Sequence, residues 1–145
     1  MDDHKVILSN HRINQSIESL EIAEYCLTKG HYRDSINRSY YAVFYAIKSV
    51  LALEAVDFKR HKDVVAYFNK TYVAAEIFPK ELGRKLAMLK QLREKSDYDD
   101  FYLASKEEAK EQIDTAEMII REIKSFFKEK GLIYNEKTHT FDINK

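Results

Sequence analysis

Residues 32–54 read YRDSINRSYYAVFYAIKSVLALE, and the fold turns on whether they are helix or strand. Ile36, Tyr40, Val43, Phe44, Ile47 and Leu51 recur at three- and four-residue intervals, and Tyr41, Tyr45 and Ala52 fill a neighbouring stripe. That is the period of an α-helix whose apolar surface is wide enough to need cover on most sides. A pair of strands would require a turn signal inside the run, and the run has none. The segment is expected to be the central helix of a bundle.

The flanks agree with that reading. Upstream, residues 6–29 place Ile13, Ile17, Leu20, Ala23, Tyr25 and Leu27 at largely helical intervals. Gly30 then suits a helix end, because it takes the left-handed conformation without penalty. Downstream, AVDFKR links to HKDVVAYFNKTYV, where Val64, Val65, Phe68 and Tyr72 predict a short helix. Pro79 is expected at the first position of KELGRKLAMLKQLREK, with Leu82, Leu86, Leu89 and Leu92 as its buried face. Gly83 within that helix costs about 1 kcal/mol relative to Ala. Ser105 and Glu108 match an S-x-x-E capping box, which opens a last helix through Ile113, Ala116, Ile119, Ile120, Ile123 and Phe127 to Gly131. The tail LIYNEKTHTFDINK alternates weakly and is expected to be ordered only against a partner or its own bundle. The expected fold class is all-α: an antiparallel four- to five-helix up-and-down bundle over residues 1–131, with a C-terminal tail at 132–145.

Composition supports one helical domain. The chain has 145 residues, 45% hydrophobic and 33% charged, with three glycines and one proline. It is too apolar for disorder and too poor in turn formers for a many-stranded sheet. Lys+Arg and Asp+Glu balance at 24 each, so no overall field draws the chain to nucleic acid or an anionic membrane, and phosphate binding would need a local patch. MDDHKVILSN has acids ahead of a short apolar run, unlike a signal peptide. No run approaches the roughly 18 apolar residues that span a bilayer. Cys26 is the lone cysteine, which leaves no internal disulfide or thiolate cluster. A soluble cytoplasmic protein without membrane contact is the expectation.

Three segments carry a resemblance. SINRSYYAVFYAIKSVLAL, KRHKDVVAYF and LREKSDYDDFY occur in the order seen in HEPN-domain proteins, and the chain is most similar to the branch typified by N-R-x-Y-Y-A-x-F-Y-A. The resemblance covers about residues 10–128, and Asn37 to Ala46 is its most specific part. It implies a helical bundle that pairs into a homodimer. In many members an Arg-x4-6-His motif lines a cleft between protomers and cleaves RNA without a metal. Several are toxins beside a minimal nucleotidyltransferase, and others are nucleotide- or RNA-binding modules.

Metal-independent cleavage of RNA needs a base for the 2′-hydroxyl, an acid for the leaving oxygen and a cation for the phosphate. An arginine fork and an imidazole that titrates near neutrality supply these. In QLREKSDYDDFY, residues 91–102, Arg93 takes the arginine position, but Tyr98 stands where the family's histidine would be. A phenol of pKa about 10 is ionised to about one part in a thousand at pH 7, so Tyr98 is a poor base, though it can donate a hydrogen bond or serve as an acid. Glu94, Asp97, Asp99 and Asp100 make the surroundings anionic. The motif resembles a damaged nuclease site. A structural alternative is an ion pair between Arg93 and Asp97 at i,i+4. Arg93 and Tyr98 are about 140° apart on an unbroken helix and converge only if it bends.

Two other places are candidates for phosphate. Arg38 stands among aromatic residues and either reaches a ligand phosphate or pairs with Asp97 or Asp99, because a buried arginine needs a partner. Lys59, Arg60, His61 and Lys62 lie at a predicted helix N-terminus, which favours an anion; the alternative is a solvated basic turn. His61 supplies the missing imidazole if it faces Arg93. His4, His11, His31 and His139 form no ligand spacing, so neither metal nor cofactor is expected. Three readings remain open: a module that binds RNA, a nucleotide or a nucleotidyltransferase partner within a toxin–antitoxin type of system; a metal-independent ribonuclease toxin using Arg93 with Tyr98 or His61; or a helical scaffold with no ligand. Instead of carrying a proton, the Tyr98 hydroxyl is a candidate for adenylylation by a partner enzyme, as the resemblance to the family's antitoxin systems implies.

Overall fold

Apolar periodicity becomes five helices in the computed structural model, which describes residues 3–135, 137–138 and 140–143. They are α1 (Asp3–Thr28), α2 (Tyr32–Ala52), α3 (His61–Phe68), α4 (Lys80–Tyr98) and α5 (Lys106–Glu129). A π-helical turn, Asn69–Val73, continues α3, and strands β1 (Leu132–Asn135) and β2 (Thr140–Ile143) follow α5. The bundle is all-α, as the pattern predicts. α2 packs against all four other helices. Its Ile36, Tyr40, Val43, Phe44, Ile47 and Leu51 are almost wholly buried, which is why that run is apolar nearly all round.

Along the seam between α1 and α2 the contacts are small and polar. Ser9 Oγ donates to the Ser49 carbonyl at 2.8 Å, Ser16 Oγ to the Ala42 carbonyl, and Ser35 Oγ to the Ala23 carbonyl at 2.8 Å. All three serines are buried. Short side chains let the two backbones approach closely, and each of these three hydroxyls bonds a carbonyl of the facing helix, whereas the buried Ser39 hydroxyl finds no acceptor among the described residues. Tyr25, expected on the buried face, is 63% exposed. It sits where α1 reaches its last turn, and Gly30 (φ +82°) turns the chain directly afterwards.

The second half holds two local surprises. Pro79 is the N-cap of α4 rather than its first residue, with extended backbone at ψ 147°. Gly83 has a packing reason: a Cβ there would lie 2.9 Å from Val73 Cγ1 in the π-helical turn. The glycine lets α4 cross that turn closely. The predicted capping box is present, with Glu108 N donating to Ser105 Oγ at 3.0 Å and Ser105 N to Glu108 Oε1 at 3.1 Å.

The tail forms a hairpin against its own bundle. β1 and β2 pair antiparallel, with Leu132 opposite Ile143 and Asn135 opposite Thr140. Leu132 enters the core at 1% exposure, and the Asn135 side chain accepts from the backbone of Lys137 and Thr138 to fix the turn. The hairpin rests on α1 and α5. Among the described residues, no helix is long and apolar enough to cross a membrane.

Candidate anion site around Tyr41

Arg93 lies on the face of α4 that looks toward α2, and there it meets both aromatic rings and an acid. Its guanidinium carbon is 4.9 Å from the Tyr40 ring centre and 5.6 Å from that of Tyr41. Nη2 donates to the Tyr41 hydroxyl at 3.2 Å. Nε is 2.9 Å from Asp97 Oδ2, yet its N–H is turned aside and has no acceptor among the described residues. An exposed i,i+4 ion pair contributes about 0.3–0.5 kcal/mol. Each cation–π contact contributes about 0.5–1 kcal/mol, and more when desolvated. With side chains only 16% and 23% exposed, Arg93 and Asp97 are not an exposed pair, and the arginine is held by the two tyrosines together with Asp97.

His61 reaches the same tyrosine from another helix. It opens α3, and its ring sits 4.1 Å from that of Phe44 and 5.9 Å, edge to face, from that of Tyr41. Partial burial against those rings pushes its pKa below the ordinary value, and the positive charges of Arg93 and Lys48 push it further the same way. The imidazole is therefore neutral at pH 7, free to accept a proton or a hydrogen bond. Arg38 adds a third group, its guanidinium 5.3 Å from the centre of the Tyr41 ring. Three residues distant in sequence thus meet around one phenol.

Asp97 is ion-paired with Arg93 and accepts from the Asn37 amide, which donates to both carboxylate oxygens at 3.4 and 3.3 Å. Asp97 thus pairs with Arg93 and Asn37 rather than with Arg38. Asp99 ends α4, and its carbonyl accepts from Arg33 Nη2 at 3.2 Å. Arg33 also donates to the Tyr102 carbonyl at 2.6 Å, and Tyr102 O–H donates to Glu108 Oε2 at 2.7 Å. These bonds fix the chain between α4 and α5. Arg33 was not singled out in the sequence, where it is one charged residue in the first turn of a helix.

Tyr98 is the last residue of α4 and is 76% exposed. The helix runs unbroken from Arg93 to Tyr98, so the bend that would bring the two together is absent. Phe101 and Leu103, just beyond, are 94% and 89% exposed. Lys59, Arg60 and Lys62 flank His61 on the surface, with Arg60 Nε bonded to Asp63 at 3.2 Å. A groove of about 330 Å³ between α4 and α5 does not include Arg93 among its lining residues. Among the described residues no group of His, Cys, Asp and Glu is placed to hold a metal; His139 lies outside them.

Chemically, the cluster offers two guanidinium groups, a neutral imidazole and a phenol hydroxyl beside exposed lysines. The HEPN domain model matches residues 9–126. A candidate toxin of Methanocaldococcus jannaschii is 33% identical over 84% of this chain and 96% of its own length. A second from the same organism is 25% identical over 88% of this chain and 87% of its own. A UPF0332 protein of Thermotoga maritima is 31% identical over 69% of this chain and 76% of its own.

Proposed function

The chain belongs to the HEPN-domain family, and from that premise we propose that it is the helical component of a toxin-type system that binds a phosphate-bearing ligand, an RNA or a nucleotide. The ligand phosphate lies at Arg93 and Arg38, with His61 beside it and Lys59, Arg60 and Lys62 extending the positive edge. The observation that carries this reading is the meeting of Arg93, Arg38 and His61 on Tyr41. The candidate toxins among its relatives support the toxin-type setting. The proposal extends to a cytoplasmic homodimer and to a minimal nucleotidyltransferase as partner, for which the exposed Tyr98 is an accessible hydroxyl.

Anisotropy titration of a labelled RNA oligonucleotide tests it. Losing a charge-assisted hydrogen bond to phosphate costs on the order of tenfold or more in affinity. Arg93→Ala is expected to weaken binding by at least that factor, whereas Tyr98→Phe leaves it unchanged. Equal binding by wild type and Arg93→Ala sinks the site. Light scattering of the purified chain gives its oligomeric state, and a mass increase on Tyr98 after co-expression with the partner tests the modification.

A second reading, a metal-independent ribonuclease, draws support from one observation. The imidazole missing after Arg93 is present across Tyr41, in His61, with a depressed pKa. In that reading His61 takes the proton from the 2′-hydroxyl and Arg93 steadies the phosphate. Loss of RNA cleavage in His61→Ala with retained RNA binding would favour it. An uncut RNA substrate with the wild-type protein would remove it.

A further inference from the structure

A site built only to hold phosphate leaves Asp97 unexplained. Its carboxylate stands 2.9 Å from the Nε of Arg93, where its charge repels an incoming phosphate. It is nevertheless held from two helices, by Arg93 on α4 and by the Asn37 amide on α2. It also retains capacity. An ionised carboxylate offers about four acceptor positions. The Asn37 amide engages it only at 3.3–3.4 Å, the Arg93 Nε–H is turned away from it, and the side chain is 23% exposed. Beside the guanidinium that receives the phosphate there is thus a fixed, open acceptor.

Resting on the phosphate-binding reading above, we propose that Asp97 is a specificity-determining residue that accepts a hydrogen bond from the ribose 2′-hydroxyl next to the phosphate held by Arg93. A ribonucleotide brings the donor that the carboxylate lacks. A deoxyribonucleotide leaves carboxylate and phosphate facing each other with nothing between them. Sites that hydrogen-bond a substrate hydroxyl reject the analogue lacking it far better than apolar pockets discriminate by shape. Asn37 acts as a positioning residue, holding the Asp97 side chain across the gap between α2 and α4.

Matched ribo- and deoxyribo-oligonucleotides of one sequence, labelled at the 5′ end, are titrated by anisotropy against wild type, Asp97→Asn, Asp97→Ala, Asn37→Ala and Arg93→Ala. Circular dichroism checks the fold of each protein, and a gel checks that the RNA stays intact. Wild type is expected to prefer the ribo strand on the order of tenfold, the worth of one charge-assisted hydrogen bond. Asp97→Asn binds the deoxy strand more tightly than wild type does and loses most of the preference. Asn37→Ala loses part of it, and Arg93→Ala weakens both strands together. Equal affinity of wild type for both strands, with Arg93→Ala weakening both, overturns the role of Asp97 and leaves the phosphate site standing. A preference that survives in Asp97→Ala, which carries no acceptor at that position, overturns it as well. Binding of neither strand by wild type overturns both readings. Should Asp97→Asn fail to fold, Asp97→Glu keeps the charge and displaces the acceptor; an unchanged preference in that variant is equally fatal.

Discussion

The Nη2 of Arg93 stands 3.2 Å from the hydroxyl of Tyr41, two residues 52 positions apart on α4 and α2. The phenol ties the one motif arginine to the central helix and, through its ring, to His61. Tyr41→Phe keeps the ring and removes the oxygen. It is expected to cost about 1–2 kcal/mol of stability in urea unfolding, because a partly buried guanidinium loses an acceptor. RNA affinity should fall several-fold alongside. Unchanged stability and affinity would mean that the rings alone hold Arg93.

His61 should titrate low. Its folded pKa is held below that of a free imidazole by partial burial first, then by Arg93 and Lys48. The unfolded chain therefore binds this proton more readily than the folded one. Its contribution to stability is present above the unfolded pKa and is lost as pH falls from there toward the folded value. NMR titration of the imidazole is expected to give a midpoint below 6.5, moving upward in Arg93→Ala. A midpoint that ignores that substitution would separate the two residues electrostatically.

Gly83→Ala should destabilise, although alanine is the better helix former by about 1 kcal/mol. The new methyl would come within 2.9 Å of Val73 Cγ1, and a β-branched neighbour cannot swing aside freely. Overpacking of this kind costs about 1–3 kcal/mol, so the net change is a loss. Combining it with Val73→Ala should recover the alanine's helical advantage at position 83. A double-mutant cycle in urea measures the coupling, and additivity would disprove the contact.

Ser105→Ala removes half of a reciprocal cap. The expected cost is about 1 kcal/mol, or about 2–5 °C in melting temperature for a chain of this size. Glu108, held below the usual carboxylate range by Tyr102 and then by Ser105, gives the same region an acid-sensitive component. That component is present above the unfolded carboxylate pKa and lost as pH falls through the folded one. The melting difference between wild type and Ser105→Ala should therefore narrow at low pH, which calorimetry at pH 7 and pH 3 would register.

The helices were legible because their signals are local and redundant. The Ile36 to Leu51 stripe, the Ser105–Glu108 cap and Gly30 each speak for themselves within a few residues. The π-helical turn at Asn69–Val73 was not legible, since one extra residue per turn leaves no compositional trace. Nor was the purpose of Gly83, which depends on Val73 in another element. At the site, Arg93 was readable from its motif and the Arg93–Asp97 contact from i,i+4 spacing. The meeting of Arg93 with His61 was not, because 32 positions of chain separate them and only the packing of α3 and α4 on α2 brings both to Tyr41. Arg33 shows the same limit: its acceptors are backbone carbonyls 66 and 69 residues away, which no side-chain pattern encodes.

The serine bridges between α1 and α2 bear on how the chain breathes. The carbonyls of Ala23, Ala42 and Ser49 each accept a hydrogen bond from a serine of the opposite helix, so neither helix can fray at these points without disturbing the other. The pair should open as one unit, and its amides should be among the last to take up deuterium from solvent.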